Sequence, residues 1–203
     1  ALGVRFTFYL ISGKSDASNP IWAQAVKDGH ELGNHTKGHY QTAVEADVDA
    51  ATTFLQEKYG VRPWTMAAPY GDQSYVGVAQ TRFFINRGVS NALIAPNGTA
   101  NPFNLPCFIP ATGALAEAFN SQIDSAEAAG AWRVVLVHGF SGGTDGAWQP
   151  VDIAEFVASV EHAKSLATMW IDSMVNVGAY WIGQRTVSKA TPTTSGNDTT
   201  WSW

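Results

Sequence analysis

Three histidines in this sequence have the type and position expected of catalytic or metal-binding residues. His35 and His39 are four residues apart, so one helical turn or a tight loop would aim both imidazoles in the same direction. Two neutral imidazoles at this spacing form half of a zinc-type site, which a carboxylate from elsewhere would complete. His138 stands at the end of an apolar run, residues 133–137, that is typical of a buried strand. The pattern therefore predicts a metal-centred site.

The elements that must position these residues alternate between strands and helices. Predicted strands cover residues 4–11, 31–34, 65–68, 89–94, 133–137 and 168–171, and predicted helices cover about residues 20–28, 44–59, 76–87, 115–129, 150–165 and 174–184. This alternation implies parallel strands joined by right-handed crossovers, as in an open α/β sheet or a barrel. Functional groups of such folds lie on the loops that follow the strands. We therefore expect His35 and His39, Tyr70, and His138 to converge on one rim.

Length and composition indicate one globular, acidic domain. A chain of 203 residues with 45% hydrophobic and 14% charged residues is long and apolar enough for a sizeable core. The net charge of -5, without a basic run, argues against nucleic-acid binding. No apolar run reaches the roughly eighteen residues of a membrane span. We expect a monomer with a catalytic domain over residues 1–187 and a linker-like tail over residues 188–203.

The motifs around the histidines resemble those of the polysaccharide deacetylases, the family-four carbohydrate esterases that share the NodB homology domain. Gly-His-Glu-Leu-Gly-Asn-His-Thr-Lys-Gly-His, residues 29–39, resembles the second motif of that family. Ala-Pro-Tyr-Gly, residues 68–71, resembles the third motif, and Leu-Val-His, residues 136–138, resembles the fifth. The resemblance covers nearly the whole chain and implies a distorted (β/α) barrel with fewer than eight strands.

The resemblance also implies a function and assigns roles to individual residues. The implied enzyme is a secreted, metal-dependent hydrolase that removes N- or O-linked acetyl groups from an acetylated polysaccharide or oligosaccharide. His35 and His39 would bind the divalent metal, usually zinc, His138 would be the general acid, and the backbone amide of Tyr70 would help form the oxyanion hole. Pro69 and Tyr70 would contact the glycan. Trp148, in Gly-Ala-Trp-Gln-Pro, either packs on a sugar ring or anchors its loop.

The chain departs from the family pattern at three points. The first motif, Thr-Phe-Asp-Asp-Gly, supplies the general base and the third metal ligand, yet no Asp-Asp pair occurs in this sequence. Because residues 4–10 resemble the strand that follows this motif, we expect the motif in a preceding segment. The arginine of the third motif, which orients the base, is replaced by Ala67. The aspartate of the fourth motif, which supports the general acid, has no convincing match.

Two other functions are compatible with the sequence. Gly-Phe-Ser-Gly-Gly, residues 139–143, matches the nucleophile elbow of serine hydrolases, with Ser141 as nucleophile and His162 as base. That elbow should lead directly into a helix, whereas Ser141 is followed by further glycines. The missing carboxylates and Ala67 favour a different alternative, a non-catalytic carbohydrate-binding relative or an inactive fragment. A chelator should stop the metal enzyme, and a serine-directed reagent should leave it untouched.

Overall fold

In the computed structural model, which describes residues 2–144 and 146–202, strands and helices alternate up to residue 87, and three helices and then two strands follow. The strands are β1 (Thr7–Leu10), β2 (Glu31–Asn34), β3 (Thr65–Ala67), β4 (Ile85–Arg87), β5 (Thr191–Ser195) and β6 (Asp198–Ser202). The helices are α1 (Ile21–Lys27), α2 (Glu45–Tyr59), α3 (Tyr75–Gln80), α4 (Ala116–Ala129), α5 (Ile153–Ser165) and α6 (Met174–Val187). Short 3-10 turns cover Ser15–Ser18 and Pro69–Gly71.

The first four strands form a parallel sheet in the order β1-β2-β3-β4. Single bridges continue it, because Leu105 pairs in parallel with Arg87 of β4, and Phe108 pairs in parallel with Val135. The predicted α/β fold with parallel strands is confirmed. Closure of these strands into a barrel stays a prediction.

The parallel sheet is buried on both faces, which explains why its strands are apolar in sequence. On the outer face, Leu10 and Leu32 pack with Leu55 of α2, which ends at Gly60 in the left-handed conformation that terminates helices. On the other side of the core, Ile85 packs with Trp181 of α6. Helices therefore fix the strands, and the strand ends carry the loops that form the site.

The structure corrects several predicted elements. The helix predicted for residues 76–87 is wrong beyond Gln80, because Ile85–Arg87 pairs with β3 and forms a strand. Backbone pairing with a neighbouring strand has overridden the local helical pattern. Residues 89–94, 133–137 and 168–171 form no regular strand, although Ile94 and Val135 make single bridges. The segment with linker composition contains an exposed hairpin of β5 and β6, while the domain limits themselves stay a prediction.

The outer edge of β1 faces an apolar cavity. This cavity has a volume of about 480 Å³ and is lined by Phe6 and Thr7 on one side and by Trp132 and Val134 on another. None of the histidines in the described chain lines it, so the cavity is separate from the predicted site. Within residues 2–144 and 146–202, no helix is long and apolar enough to cross a membrane.

Candidate active site

The loops after β2 and β3 bring three predicted site residues into contact. The rings of His35 and His39 have centroids 4.7 Å apart at an interplanar angle of 80°. The ring of Tyr70, in the turn after β3, lies 4.8 Å from that of His39. His138 contributes to the lowered pKa of His35, and His39 contributes to that of His138, so the three imidazoles lie near one another. His35, His39 and Tyr70 therefore meet as expected from their positions after β2 and β3, whereas the residues before His138 form no regular strand.

Backbone contacts fix the orientation of the His35 ring. Its Nδ1 lies 2.7 Å from the carbonyl oxygen of Ala67. A carbonyl only accepts hydrogen bonds, so Nδ1 carries the proton and the lone pair of Nε2 is free. This arrangement, with one ring nitrogen held by a backbone oxygen, is typical of histidines that bind metals.

The loop that carries His39 is held by side chains of its own neighbourhood. Buried Asn34 accepts a hydrogen bond from the Thr36 amide at 2.8 Å. The Thr36 hydroxyl in turn accepts a hydrogen bond from the His39 amide at 2.9 Å. Asp47 accepts hydrogen bonds from the amides of Lys37 and Gly38. The loop between the two histidines is thereby fixed at four consecutive amides.

Backbone strain is concentrated in the loops around the site. The described non-glycine residues with positive φ are Thr36 (64°), His39 (55°), Tyr70 (55°) and Gln149 (50°). Such conformations cost free energy, particularly for a β-branched residue such as threonine, and are retained where the surrounding structure imposes them. Their grouping beside the imidazoles and Trp148 is typical of a functional site.

The environment of the site keeps its imidazoles neutral. Burial and then the charge of Arg87 lower the pKa of His35 to about 3. Burial also lowers the pKa of His39, with contributions from Lys14 and Arg87, and that of His138, with contributions from Arg87 and His39. Neutral imidazoles are the form that binds metal ions. A general acid at His138 would need a nearby anion to raise its pKa.

This depressed pKa predicts a pH-dependent stability. An unfolded His35 binds a proton near pH 6.5, whereas the folded one does so near pH 3. Between these values the unfolded state holds more protons, so acidification favours unfolding. We expect the free energy of unfolding of the metal-free protein to be unaffected by this group above about pH 6.5 and to fall by about 2 kcal/mol by about pH 5.

Urea denaturation at a series of pH values measures this effect. The variant His35→Gln should remove the contribution of His35 to the pH dependence between about pH 6.5 and pH 5 and leave those of His39 and His138, whereas His162→Gln should preserve the full dependence. Identical slopes for wild type and His35→Gln would contradict the assignment of the effect to His35.

The remaining predicted contacts flank the imidazoles. The Tyr70 amide donates to none of the described residues, while Gly71 and Asp72 donate back to Ala68 and Pro69. The Trp148 side chain is largely exposed, and its ring meets His138 edge-on with centroids 4.8 Å apart. A free amide and an exposed aromatic ring therefore lie beside the histidines, while the roles assigned to Pro69, Tyr70, Trp148 and His138 stay predictions.

The described residues offer two candidate metal ligands, His35 and His39. No group of three histidine, cysteine, aspartate or glutamate side chains that could hold a metal occurs in residues 2–144 and 146–202. Two imidazoles with the tautomer set at His35 fit a zinc-type ion as a partial ligand set. Asp16, on the exposed 3-10 turn after β1, joins no such cluster. The roles of His35 and His39 as ligands thus stay a prediction.

The residues of the serine-hydrolase alternative lie apart. His162 pairs with Asp124 of α4, with 2.6 Å between Nε2 and Oδ1. Ser141 is followed by a turn, and its amide bonds to the carbonyl of Val151. Among the described contacts none joins Ser141 to His162, so the geometry disfavours this alternative.

A model of a known protein family matches the part of the chain that contains two of the three motifs. Residues 1–82 match the family model for polysaccharide deacetylase. The predicted resemblance to the polysaccharide deacetylases is confirmed. This matched region contains the loop of His35 and His39 as well as Tyr70, whereas His138 lies outside it. Among curated proteins, none matches the sequence significantly.

Solved structures extend the likeness to most of the chain. A Mycobacterium smegmatis protein described as a polysaccharide deacetylase is 16% identical, with a TM-score of 0.64 over 91% of this chain and 74% of that chain. The PuuE allantoinase is 14% identical, with a TM-score of 0.62 over 89% and 68%. A family 4 acetyl xylan esterase from Clostridium thermocellum, solved with a cobalt ion, is 14% identical, with a TM-score of 0.57 over 88% and 78%. At these identities the likeness shows the fold alone, and this fold serves more than one reaction.

One charged residue of the site was not predicted from the sequence. Arg87 influences the pKa of all three imidazoles, yet its strand was predicted as the end of a helix. The apolar run of residues 83–85, which ends two residues before Arg87, was a signal for a short buried strand. Asn34 and Asp47 lay within or near the predicted motif, but their roles as loop supports depend on tertiary contacts.

Proposed function

We propose that this chain forms the core of a metal-dependent hydrolase that removes acetyl groups from an acetylated glycan. The observation that carries the proposal is the pair of neutral imidazoles, His35 and His39, beside the ring of His138 and the amide of Tyr70, which donates to none of the described residues. The match of residues 1–82 to the polysaccharide deacetylases supports the substrate class.

Each residue of this cluster has a defined task in acetyl transfer to water. The free Nε2 of His35 and the ring of His39 would hold a divalent metal, most often zinc for such donors. When bound, that ion supplies Lewis acidity and a water molecule of lowered pKa. The Tyr70 amide would donate a hydrogen bond to the acetyl oxygen as negative charge develops on it. His138 would protonate the leaving amine or hydroxyl, and Trp148 would pack on the sugar ring.

Two further groups must come from outside the described site. A third ligand and a general base are carboxylates in a site of this chemistry, and the described residues provide neither beside the imidazoles. The lack of carboxylates beside the imidazoles among the described residues favours the second candidate, a protein that binds glycans through Trp148 and Tyr70 without removing their acetyl groups. Release of acetate separates the two candidates.

Chelation tests the proposed reaction. Treatment with a strong chelator should reduce the release of acetate from acetylated xylan and chitin oligomers by at least about a hundredfold, and added zinc or cobalt should restore it. A serine-directed reagent should have no effect, because no described contact joins Ser141 to His162. Glycan binding without acetate release at any metal loading would establish the non-catalytic candidate instead.

We propose an extracellular location from the substrate class and the aromatic content of the chain, which has 8 tryptophans. Sequencing of the mature N-terminus from the native source tests this location. An N-terminus without export processing would argue against it.

A further inference from the structure

Tyr40 is an exposed aromatic residue that directly follows the second site histidine in the chain. It is 55% exposed, and Tyr70, whose ring lies beside that of His39, is 63% exposed. Large aromatic side chains gain free energy when they are buried, so an exposed group of them marks a surface that another molecule can cover. Two exposed tyrosines therefore lie on the loops around one imidazole.

The backbone of the histidine loop supports the ring of Tyr40. A Cβ atom added to Gly38 would lie only 2.6 Å from Cε2 and 2.7 Å from Cζ of that ring. The ring therefore packs directly on the backbone of Gly38, which only a glycine allows. Gly38 lies between His35 and His39, and its amide donates to Asp47. The exposed ring thus rests on a segment that is itself fixed.

A buried tyrosine holds the backbone of Tyr40 from the interior. Tyr75 is 0% exposed, and its hydroxyl donates to the Tyr40 carbonyl at 2.6 Å. Burial, with contributions from Asp47, Asp72 and Tyr70, raises the pKa of Tyr75 to about 12, so the hydroxyl keeps the proton that it donates. Because Tyr70 contributes to this pKa, it also lies near Tyr75. One buried residue therefore connects the segments that carry the two exposed tyrosines.

We propose that Tyr40 forms a sugar-binding subsite beside the histidines, in which its ring packs on the apolar face of a pyranose next to the acetylated unit. The proposal deepens the proposed function and rests on its substrate class, an acetylated glycan. A tyrosine ring offers a large apolar face at a small loss of conformational entropy, and its hydroxyl is available to a sugar hydroxyl. Trp148 contacts His138 from a different loop and is assigned to the acetylated sugar, so Tyr40 selects for chains of several sugars over single sugars.

Binding to the metal-free chain tests this subsite without requiring enzymatic activity. The probes are N-acetylchitotetraose, acetylated xylotetraose and the single sugar N-acetylglucosamine, and nuclear magnetic resonance titration measures each Kd. We expect Tyr40→Ala to bind the preferred tetrasaccharide at least about tenfold more weakly and the single sugar with unchanged affinity. Tyr40→Phe, which keeps the aromatic face, should remain within about threefold of wild type.

Two further variants separate stacking from loss of structure. Tyr180→Ala is the matched control, because Tyr180 is 61% exposed and lies on α6, where its ring contacts Trp170. Its tetrasaccharide affinity should equal that of wild type. Tyr40→Leu fills the space over Gly38 without an aromatic ring, so it covers the case that Tyr40→Ala does not fold, and it should show the same loss of affinity.

Acetate release by the metal-loaded protein gives a second readout. Because Tyr40 contacts a neighbouring sugar and not the reacting atoms, Tyr40→Ala should raise KM for the tetrasaccharide at least about tenfold and leave kcat and metal content unchanged. A fall in kcat at constant KM would contradict the subsite and indicate that the ring only supports the loop of His39.

The outcomes separate this proposal from the proposed function. Wild-type tetrasaccharide affinity and KM in Tyr40→Ala and Tyr40→Leu would overturn the subsite while leaving the deacetylase intact. Equal losses for the tetrasaccharide and the single sugar would also overturn it, because the subsite contacts only a neighbouring unit. If no metal loading gives acetate release, the titration alone decides. Tyr40-dependent binding of a tetrasaccharide would then support the subsite in a non-catalytic protein, and its absence would overturn the subsite.

Discussion

Replacement of His35 by alanine is expected to abolish specific metal binding and to lower kcat/KM for acetate release by about a thousandfold. The loss corresponds to about 4 kcal/mol of transition-state stabilisation, the scale on which a metal ion acts in hydrolysis. His35 is the better suited of the two histidines to bind a metal, because the Ala67 carbonyl fixes its tautomer and burial keeps it neutral. Elemental analysis of the purified variant measures the metal, and initial rates on an acetylated glycan measure kcat/KM.

His162→Ala is the matched control for this substitution. It removes the same side chain from α5, where the imidazole pairs with Asp124, and should leave both metal content and kcat/KM within about twofold of wild type. If His35→Ala kept its full metal content and activity, the result would contradict a mechanism that depends on a metal bound by His35. Loss of acetate release with unchanged metal content in His162→Ala would instead favour the serine-hydrolase alternative.

The parts of the fold that the sequence predicted are those governed by local patterns. Alternating apolar runs and helical periodicity indicated parallel strands, and position after a strand indicated that His35, Tyr70 and His138 would meet. Both inferences depend only on the order of elements along the chain. The predicted boundaries of β2 coincide with the observed strand Glu31–Asn34 because turn residues flank this short segment on both sides.

The parts that the sequence did not predict depend on contacts between distant segments. Arg87 lies on a strand only because the backbone of β3 is available to pair with Ile85–Arg87, and local periodicity contains no information about that partner. The strand predicted for residues 168–171 has the expected composition, but it does not pair regularly with another strand. The exposed hairpin near the C-terminus is likewise formed by residues whose composition is typical of a linker.

Asn34→Ala is expected to destabilise the protein by about 3 kcal/mol and to weaken metal binding by about ten- to a hundredfold, although Asn34 is no ligand. The side chain is fully buried and donates to the Val48 carbonyl and the Thr52 hydroxyl while accepting from the Thr36 amide. Alanine would leave the buried Thr36 amide without a partner. Because the Thr36 hydroxyl holds the His39 amide, the position of the second imidazole should change as well.

Thr52→Val separates the contribution of the loop from that of general stability. This variant removes one of the two hydrogen bonds from Asn34 to α2 but keeps those to the Val48 carbonyl and the Thr36 amide, so it should cost about 1 kcal/mol and leave the metal affinity unchanged. Urea denaturation of the metal-free proteins and competition with a zinc indicator measure the two quantities. Wild-type metal affinity in Asn34→Ala, despite the loss of stability, would show that the loop positions His39 without Asn34. If the metal affinity were weakened in Asn34→Ala but not in Thr52→Val, the result would establish that the hydrogen bond from Thr36 to Asn34 positions the imidazole of His39.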